Sequence, residues 1–339
     1  MTDAKSKYRE LCLSNPEIPL INRDWWLDAT VGEDGWDVLL VERGGEIIAS
    51  LPYHRTKKML FDVIDMPYLT LTMGIWIRYP PGQKYATRLS YEKEIYLELI
   101  EKLPKVDYYY QHFHWSITNW STFYWRGFRQ TTRYTYLLEN LKDLDRLYAN
   151  MKEKTRNEIR KAEKQLEVVE SDDIETFHRI NEMTFKRQGE KMPHSLDFIR
   201  RVDLACRERG CRKIWFAKDR EGRIHGAVYL AWDEKCAYYL LGGGDPELRK
   251  SGASSLLLWE AVKRLSSVTE NLDLYGGMHE PVETFFRSFG ATQKPYFQIS
   301  KINGKLFKFA YYLKQAIGQL AAVVATMVLC SNFAQGMMV

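Results

Sequence analysis

Gly242-Gly243-Gly244 and, a few residues on, Arg249-Lys250-Ser251-Gly252-Ala253-Ser254 form the stretch of this chain whose residue types and spacing best suit chemistry. The apolar run Tyr238 to Leu241 leads in, and an apolar-periodic run from Leu256 to Leu265 leads out. A strand that breaks at glycines and re-enters as a helix leaves unpaired N–H groups at the helix start, here beside a fixed cation, Arg249. That is an anion cradle. A plain strand-to-helix turn has the same outline, but consecutive glycines also permit positive φ and close approach to the backbone.

Reactive side chains flank the glycines. Tyr239 and Asp245 bracket them, and Tyr275, His279, Glu280 and Glu283 follow the next apolar segment across Gly276-Gly277. His279 titrates near neutrality when unperturbed, which suits a base. Tyr238 and Tyr239 alternate along a strand, so one of them packs, while Glu280 and Glu283 at a helix start also favour the dipole. Elsewhere, Arg156, Arg160 and Lys164 recur at i, i+4 and i+8 on one helix face, where like charges repel by a few tenths of a kcal/mol per pair. This is either a solvated face or a site for a phosphorylated ligand, since guanidinium groups suit diphosphates. His112 and His114 lie within an aromatic cluster with Phe113, Trp115, Trp120, Tyr124 and Trp125. It reads as core or as a stacking surface, and the two histidines lack a third metal ligand, so no metal is expected.

The chain is long enough to carry two domains that position these groups: 339 residues, 45% apolar and 14% aromatic. A net charge of +5 is too small to announce a nucleic-acid binder. The five cysteines are scattered, without zinc spacing, and fit a reduced cytoplasmic setting. The polar start from Met1 to Lys7 lacks the apolar core of a secretory signal, so the mature chain is expected to begin near Met1. The tail, 306–339, holds an apolar stretch of about 15 residues, short of the roughly 18 to 20 of a spanning helix. A docking helix is expected there, with peripheral membrane contact through 306–330 as the alternative.

The chain also resembles itself. Asp37-Val38-Leu39-Leu40-Val41, a turn at Gly44-Gly45, and Ile47 to Leu51 share their grammar with Ile214 to Ala217, a turn at Gly222, and Ile224 to Leu230. Each half closes alike: Tyr124 to Phe128 followed by Thr131-Thr132-Arg133-Tyr134-Thr135-Tyr136, against Phe285 to Phe289 followed by Thr292-Gln293-Lys294-Pro295-Tyr296-Phe297. This predicts tandem α+β domains, 1–145 and 146–305, each a mixed, mostly antiparallel twisted sheet flanked by helices. Between them the spacing predicts a charged helix over Lys152–Lys164 with a thin stripe of Ile159, Ala162 and Leu166. Two further helices are predicted over 172–209, broken at Gln188 to His194, the second starting at Ser195.

Arg249, Gly252 and Ser254 stand where the GNAT acyltransferase superfamily carries Gln/Arg-x-x-Gly-x-Gly/Ala, although the last position is Ser here. The tandem halves, the run Thr155-Arg156-Asn157-Glu158-Ile159-Arg160-Lys161-Ala162, and Leu257 to Ala261 followed by Leu272-Asp273-Leu274-Tyr275-Gly276-Gly277 resemble the Fem-type branch over roughly 40 to 305. That branch has two GNAT-like domains and includes peptidoglycan-bridge aminoacyltransferases and acyltransferases of cell-envelope and polysaccharide pathways. The resemblance implies that the backbone of Arg249, Lys250, Ser251, Gly252, Ala253 and Ser254 holds the pyrophosphate of acetyl-CoA or another acyl-CoA. It makes Arg156, Arg160 and Trp259 candidates for binding a phosphorylated sugar or envelope-precursor acceptor. The first half has one glycine, Gly74, where the second has three, so the degenerate copy is expected to hold the acceptor.

Acyl transfer from a thioester needs a deprotonated acceptor, an oxyanion donor and an acid for the leaving thiolate. His279, Asp245, Tyr239 and Tyr275 are the candidates for these roles, although orientation alone contributes several kcal/mol. Only about 40 residues separate Asp172 from Cys211, too few for the helical arm of many peptidoglycan-bridge members, which disfavours the alternative donor, aminoacyl-tRNA. A non-catalytic ligand-binding module is the rival class, since fold alone does not establish activity.

Overall fold

The computed structural model describes residues 3–313 and 316. The first half runs α1 (Asp3–Ser14), α2 (Asp24–Val31), β1 (Trp36–Arg43), β2 (Glu46–Lys58), β3 (Phe61–Asp65), β4 (Trp76–Ile77), α3 (Tyr85–Lys102), β5 (Tyr108–His112), α4 (Ser121–Trp125) and β6 (Arg129–Leu138). The second half opens with α5 (Leu144–Asn150), α6 (Glu153–Ala162), β7 (Glu167–Ser171), α7 (Ile174–Gln188), α8 (Leu196–Arg207), β8 (Arg212–Lys218) and β9 (Ile224–Trp232). It ends with β10 (Cys236–Gly244), α9 (Ala253–Leu265), β11 (Asn271–Asp273), α10 (Glu280–Arg287) and β12 (Thr292–Ile302). Each half runs hairpin, helix, short strand, helix and closing strand, so the hairpin, the last helix and the closing strand fall in the order expected from sequence.

The local signals explain the boundaries. Asp173 caps α7 by accepting from the Thr176 N–H at 2.9 Å, and Gly189 ends that helix in the left-handed region at φ 71°. Ser195 caps α8, accepting from the Phe198 N–H at 3.2 Å. The predicted charged helix forms as α6, burying Thr155, Ile159 and Ala162. Residues 305–313 are helical, and Phe307 stacks on Tyr108 at 5.0 Å. The apolar stretch beyond Ala316, on which the docking-helix and membrane-contact expectations rest, lies outside the described residues. Among the described residues no helix is long and apolar enough to cross a membrane.

Among the described residues all the strands join one mostly antiparallel sheet in the order β1-β2-β3-β5-β12-β6-β11-β10-β9-β8-β7, with β4 on β2. Its parallel strand pairs are β3/β5 and β10/β11. The closing strands are exchanged: β12 pairs with β5 of the first half, and β6 pairs with β11 of the second. They meet along nine residue pairs, and Tyr134 lies opposite Pro295, the two positions that the internal repeat equates. The exchanged strands are thus related by a local twofold through that pair, and the sheet is continuous across 145/146. His112, opposite Gln298 on β12, and Asp273, opposite Leu137 on β6, are exchanged by the same twofold.

Helices cover both faces. On one, α1, α2, α7 and α8 share a core in which Trp26 and Leu27 of α2 meet Ile199 and Val202 of α8. Burying each such side chain contributes about 1.5 to 3 kcal/mol, so this core ties the halves together. On the other face, α3 and α4 cover the first half, and α5, α6, α9 and α10 cover the second.

Candidate functional site

Beyond Tyr238, paired to Asp273, the strands β10 and β11 diverge, and a bulge between Tyr239 and Leu241 shifts the pairing of β10 with β9. The glycines at this end have local causes. A Cβ on Gly243 would lie 2.6 Å from the Asn181 Cα, so α7 approaches β10 as closely as backbone allows. One on Gly242 would strike the Tyr239 hydroxyl, and one on Gly277 would lie 2.5 Å from the Tyr134 carbonyl oxygen. Asn181 and Thr184 of α7 fasten the contact: Asn181 Nδ2 donates to the Gly242 carbonyl at 2.6 Å, and the Gly244 N–H donates to Thr184 Oγ1 at 3.0 Å.

Gly252 enters α9 in the left-handed region at φ 78°. Arg249, Lys250 and Ser254 are exposed and Ser251 is half-buried, but Gly252 and Ala253 are covered by α6. A Cβ on Gly252 would sit 2.9 Å from Glu158 Cγ, and Ser255 Oγ donates to Glu158 Oε2 at 2.8 Å. The sequence argument gave Gly252 to a ligand's approach; helix packing accounts for it instead. The cradle has one open side, and a carboxylate stands on the other.

Tyr275, two residues past β11, has φ 50°, a strained conformation for a bulky residue. Asp273 holds it there, its Oδ1 accepting from the Tyr275 N–H at 3.0 Å and from the Thr135 hydroxyl. Asp273 is buried, with the Trp115 indole beside it, and burial pushes its carboxyl up to about 6 against these hydrogen bonds. Burial, reinforced by neighbouring Tyr296, also pushes the Tyr275 phenol upward, so it stays protonated at neutral pH. His279 is exposed at the start of α10, its N–H donating to the Gly276 carbonyl at 3.1 Å. Asp245 caps its own turn, accepting from the Glu247 N–H at 2.8 Å, and the ring of Tyr239 packs on Phe286 at 5.6 Å.

The residues singled out on α6 and α9 have structural partners. Arg156 Nη1 donates to the Ala149 and Met151 carbonyls at 2.8 Å, closing the end of α5. Arg160 is exposed, and Trp259 is buried against Tyr148 at 5.3 Å.

Sequence reasoning missed the central strands. On the face of Asp273, β5, β12 and β6 present Tyr110, His112, Gln298, Tyr296, Arg133 and Thr135, which become neighbours only through the strand exchange. His112 Nδ1 donates to the Leu71 carbonyl at 3.2 Å, leaving Nε2 to accept from the Tyr110 hydroxyl at 2.8 Å. Burial, then the Arg133 charge, pushes this imidazole down to about 4, so it is neutral. Tyr68, on the loop after β3, meets His194, on the loop before α8, with ring centres 5.4 Å apart.

A cavity of about 740 Å³ opens past the end of β5, walled by Trp76, Tyr79, His114, Trp115, Tyr238 and Asn271. Its cations are all paired, Arg78 with Glu46 at 3.0 Å, Arg88 with Glu92 at 3.1 Å, and Lys235 with Glu17, and Asp233 and Glu270 also line it. Among the described residues no group of three or more His, Cys, Asp or Glu side chains is arranged to hold a metal ion.

Residues 149–280 match the family model described as an acetyltransferase (GNAT) domain. No curated relative matches the chain in sequence. Among solved structures, FemX superposes with a TM-score of 0.63 at 14% identity, over 88% of this chain and 96% of that one. A conserved protein from Bacteroides thetaiotaomicron superposes with a TM-score of 0.52 at 12% identity, over 89% and 99%. A structure assigned as the C-terminal domain of a lysylphosphatidylglycerol synthetase from Agrobacterium fabrum also gives 0.52 at 12% identity, over 91% and 94%. Residues 149–280 are thus similar to a GNAT acetyltransferase domain, and the chain has the fold of FemX.

Proposed function

We propose that this chain is an acyltransferase that moves an acyl group from acyl-CoA to an amine or hydroxyl of a cell-envelope or polysaccharide precursor. The observation that carries this reading is the GNAT match over the half whose β10 is bulged and splayed from β11 and whose glycine loop opens α9. In it, 146–305 holds the donor and 1–145 contributes most of the acceptor site. The donor pyrophosphate lies on the open side of the loop, against Arg249, Lys250 and Ser254, with Glu158 opposing it.

Attack of the acceptor on the thioester carbonyl forms the new C–N or C–O bond and breaks C–S. The acceptor proton leaves to His279 or to solvent, and the thiolate takes a proton from Tyr275, whose raised pKa keeps that proton available. Asp273 is a positioning residue that fixes Tyr275 in its left-handed conformation.

Thermal shift with acetyl-CoA, followed by a thiol-release assay over a panel of amino-sugar acceptors, tests the proposal. Acetyl-CoA raises the melting temperature; Arg249→Ala weakens binding at least tenfold, and Glu158→Gln strengthens it. Gly252→Val is uninformative, because its side chain meets Glu158 before any ligand. Absence of a shift at millimolar acetyl-CoA sinks the acyl-CoA reading, and salt-sensitive tRNA binding in its place would favour aminoacyl-tRNA as donor. Binding without thiol release from any acceptor favours the non-catalytic module.

A further inference from the structure

We propose that Arg133, at the centre of the exchanged strands, is the anchor for an anionic oxygen group, a carboxylate or a phosphate, carried by the acceptor. Naming the ligand as the acceptor rests on the acyltransferase reading; the anion site itself does not.

The side chain has an unusual environment for a cation. Its Nε donates to the Tyr296 hydroxyl at 3.2 Å and its Nη1 to Gln298 Oε1 at 3.2 Å, both neutral acceptors. Among the described residues no carboxylate lies within ion-pairing distance, and Arg133 is half-buried. Charges withdrawn from water are ordinarily paired, and a guanidinium held by its Nε and one Nη still has its other Nη free to donate. Tyr296, which receives the Nε bond, is only 2% exposed, so the fork is held from below by a rigid partner.

Two carboxylates act on the neighbouring groups, Asp65 on Tyr110 and His112 and Asp273 on Tyr275 and Tyr296, but neither pairs with Arg133. His112 is neutral and spends its one N–H on Leu71, and its ring lies against Tyr296 at 5.5 Å between centres. The hydroxyls of Tyr110, Tyr275 and Tyr296 all lie close enough to Arg133 to be lowered by its charge. Phenols and a guanidinium form a donor-rich cluster whose acceptors, Gln298 Oε1, His112 Nε2 and the Tyr296 hydroxyl, are all neutral, which leaves it suited to a carboxylate or phosphate. Tyr68 and His194 meet from opposite halves, and Tyr275, the proposed acid, feels both Tyr68 and Arg133. An anion held on Arg133 would therefore sit beside the reacting centre and hold the acceptor in register with it.

Calorimetric titration of the full chain with succinate and inorganic phosphate at low ionic strength tests this, in wild type, Arg133→Gln, Gln298→Glu and Arg249→Ala. The wild type is expected to bind one class of probe; succinate identifies a carboxylate ligand, and phosphate a phosphorylated one. Arg133→Gln weakens that binding at least tenfold, whereas Arg249→Ala leaves it within twofold. Gln298→Glu places a carboxylate on Arg133 from within, so it blocks the probe and raises the melting temperature. If Arg133→Gln fails to fold, the Gln298→Glu result decides. Undiminished binding to both strand variants, binding lost only in Arg249→Ala, or no binding by the wild type overturns the proposal. Acetyl-CoA binding is expected to survive Arg133→Gln, so a failed acyl-CoA reading and a failed anion site give different results.

Discussion

The two halves end their short parallel strands in the same place and finish them differently. In the first, His112 leads to His114 and Trp115 on the wall of an open cavity; in the second, Asp273 leads to a strained Tyr275 and then Gly276 and Gly277. The twofold that exchanges His112 with Asp273 leaves the backbone alike and the chemistry unlike. One half ends at an open cavity, and the other keeps a bulged strand end with a protonated phenol. The shared scaffold thus carries different side chains at its two strand ends, which is where different roles for the halves would arise.

Glycines test that separation most severely. Both halves use a positive-φ glycine at their hairpin turns, Gly45 at φ 83° and Gly222 at φ 80°, each with open space where a Cβ would be. Alanine at either site is expected to cost about 1 to 2 kcal/mol, from backbone strain alone. Gly243 has no such space, its Cβ position being 2.7 Å from the Ile180 carbonyl and closer still to Asn181. Alanine there must push α7 off the sheet, at a cost of about 3 kcal/mol or more. Urea melts of the three variants check this, and equal losses at all three would show that α7 yields easily.

The pair His112 and Asp273 sharpens the comparison through pH. Asp273 keeps its native proton to about pH 6, against an ordinary 3.8, so its contribution to stability is full below about pH 4 and is lost as pH rises through 6. His112 is the reverse: lowered from 6.5 to about 4, it contributes fully above pH 6.5, and that contribution is lost as pH falls towards 4. Each effect is worth about 3 kcal/mol, and in the wild type they oppose one another over the same window. Between pH 7 and 4, the wild type should gain about 3 kcal/mol relative to Asp273→Asn and lose about 3 relative to His112→Gln. Other histidines cancel in these differences. Urea melts across that range decide it, and differences that move in the same direction would refute the assignment.

Much of the scaffold was legible because its signals are local. The Gly44-Gly45 and Gly222 turns, the Ser195 cap and the α6 stripe each depend on a few neighbouring residues, and the structure has all of them. The internal repeat equated Tyr134 with Pro295, and the structure sets those two positions opposite each other. The strand exchange was not legible, because no short-range pattern says that β12 lies beside β5. Arg133 was therefore invisible as a partner of Tyr296 and Gln298, and Asp273 passed as part of an apolar strand although it carries a raised carboxyl. The glycines were noticed for the right property, close approach, while the structure puts α7 and α6 at Gly243 and Gly252.

The smallest expected effect concerns α6, which the second half adds ahead of its first strand. Arg156 was singled out as a ligand for an acidic acceptor, yet its guanidinium closes the carbonyl end of α5. That end carries a partial negative charge, and an Arg there contributes about 1 kcal/mol through the dipole and its hydrogen bonds. Tyr148 links the contact inward, lying 6.0 Å from the guanidinium and 5.3 Å from Trp259 between ring centres. Arg156→Ala should therefore lower stability by about 1 kcal/mol and leave the acceptor KM unchanged, with Arg156→Lys recovering part of the loss. The opposite pattern, intact stability with a raised acceptor KM, would return Arg156 to the acceptor site and move part of acceptor recognition into the second half.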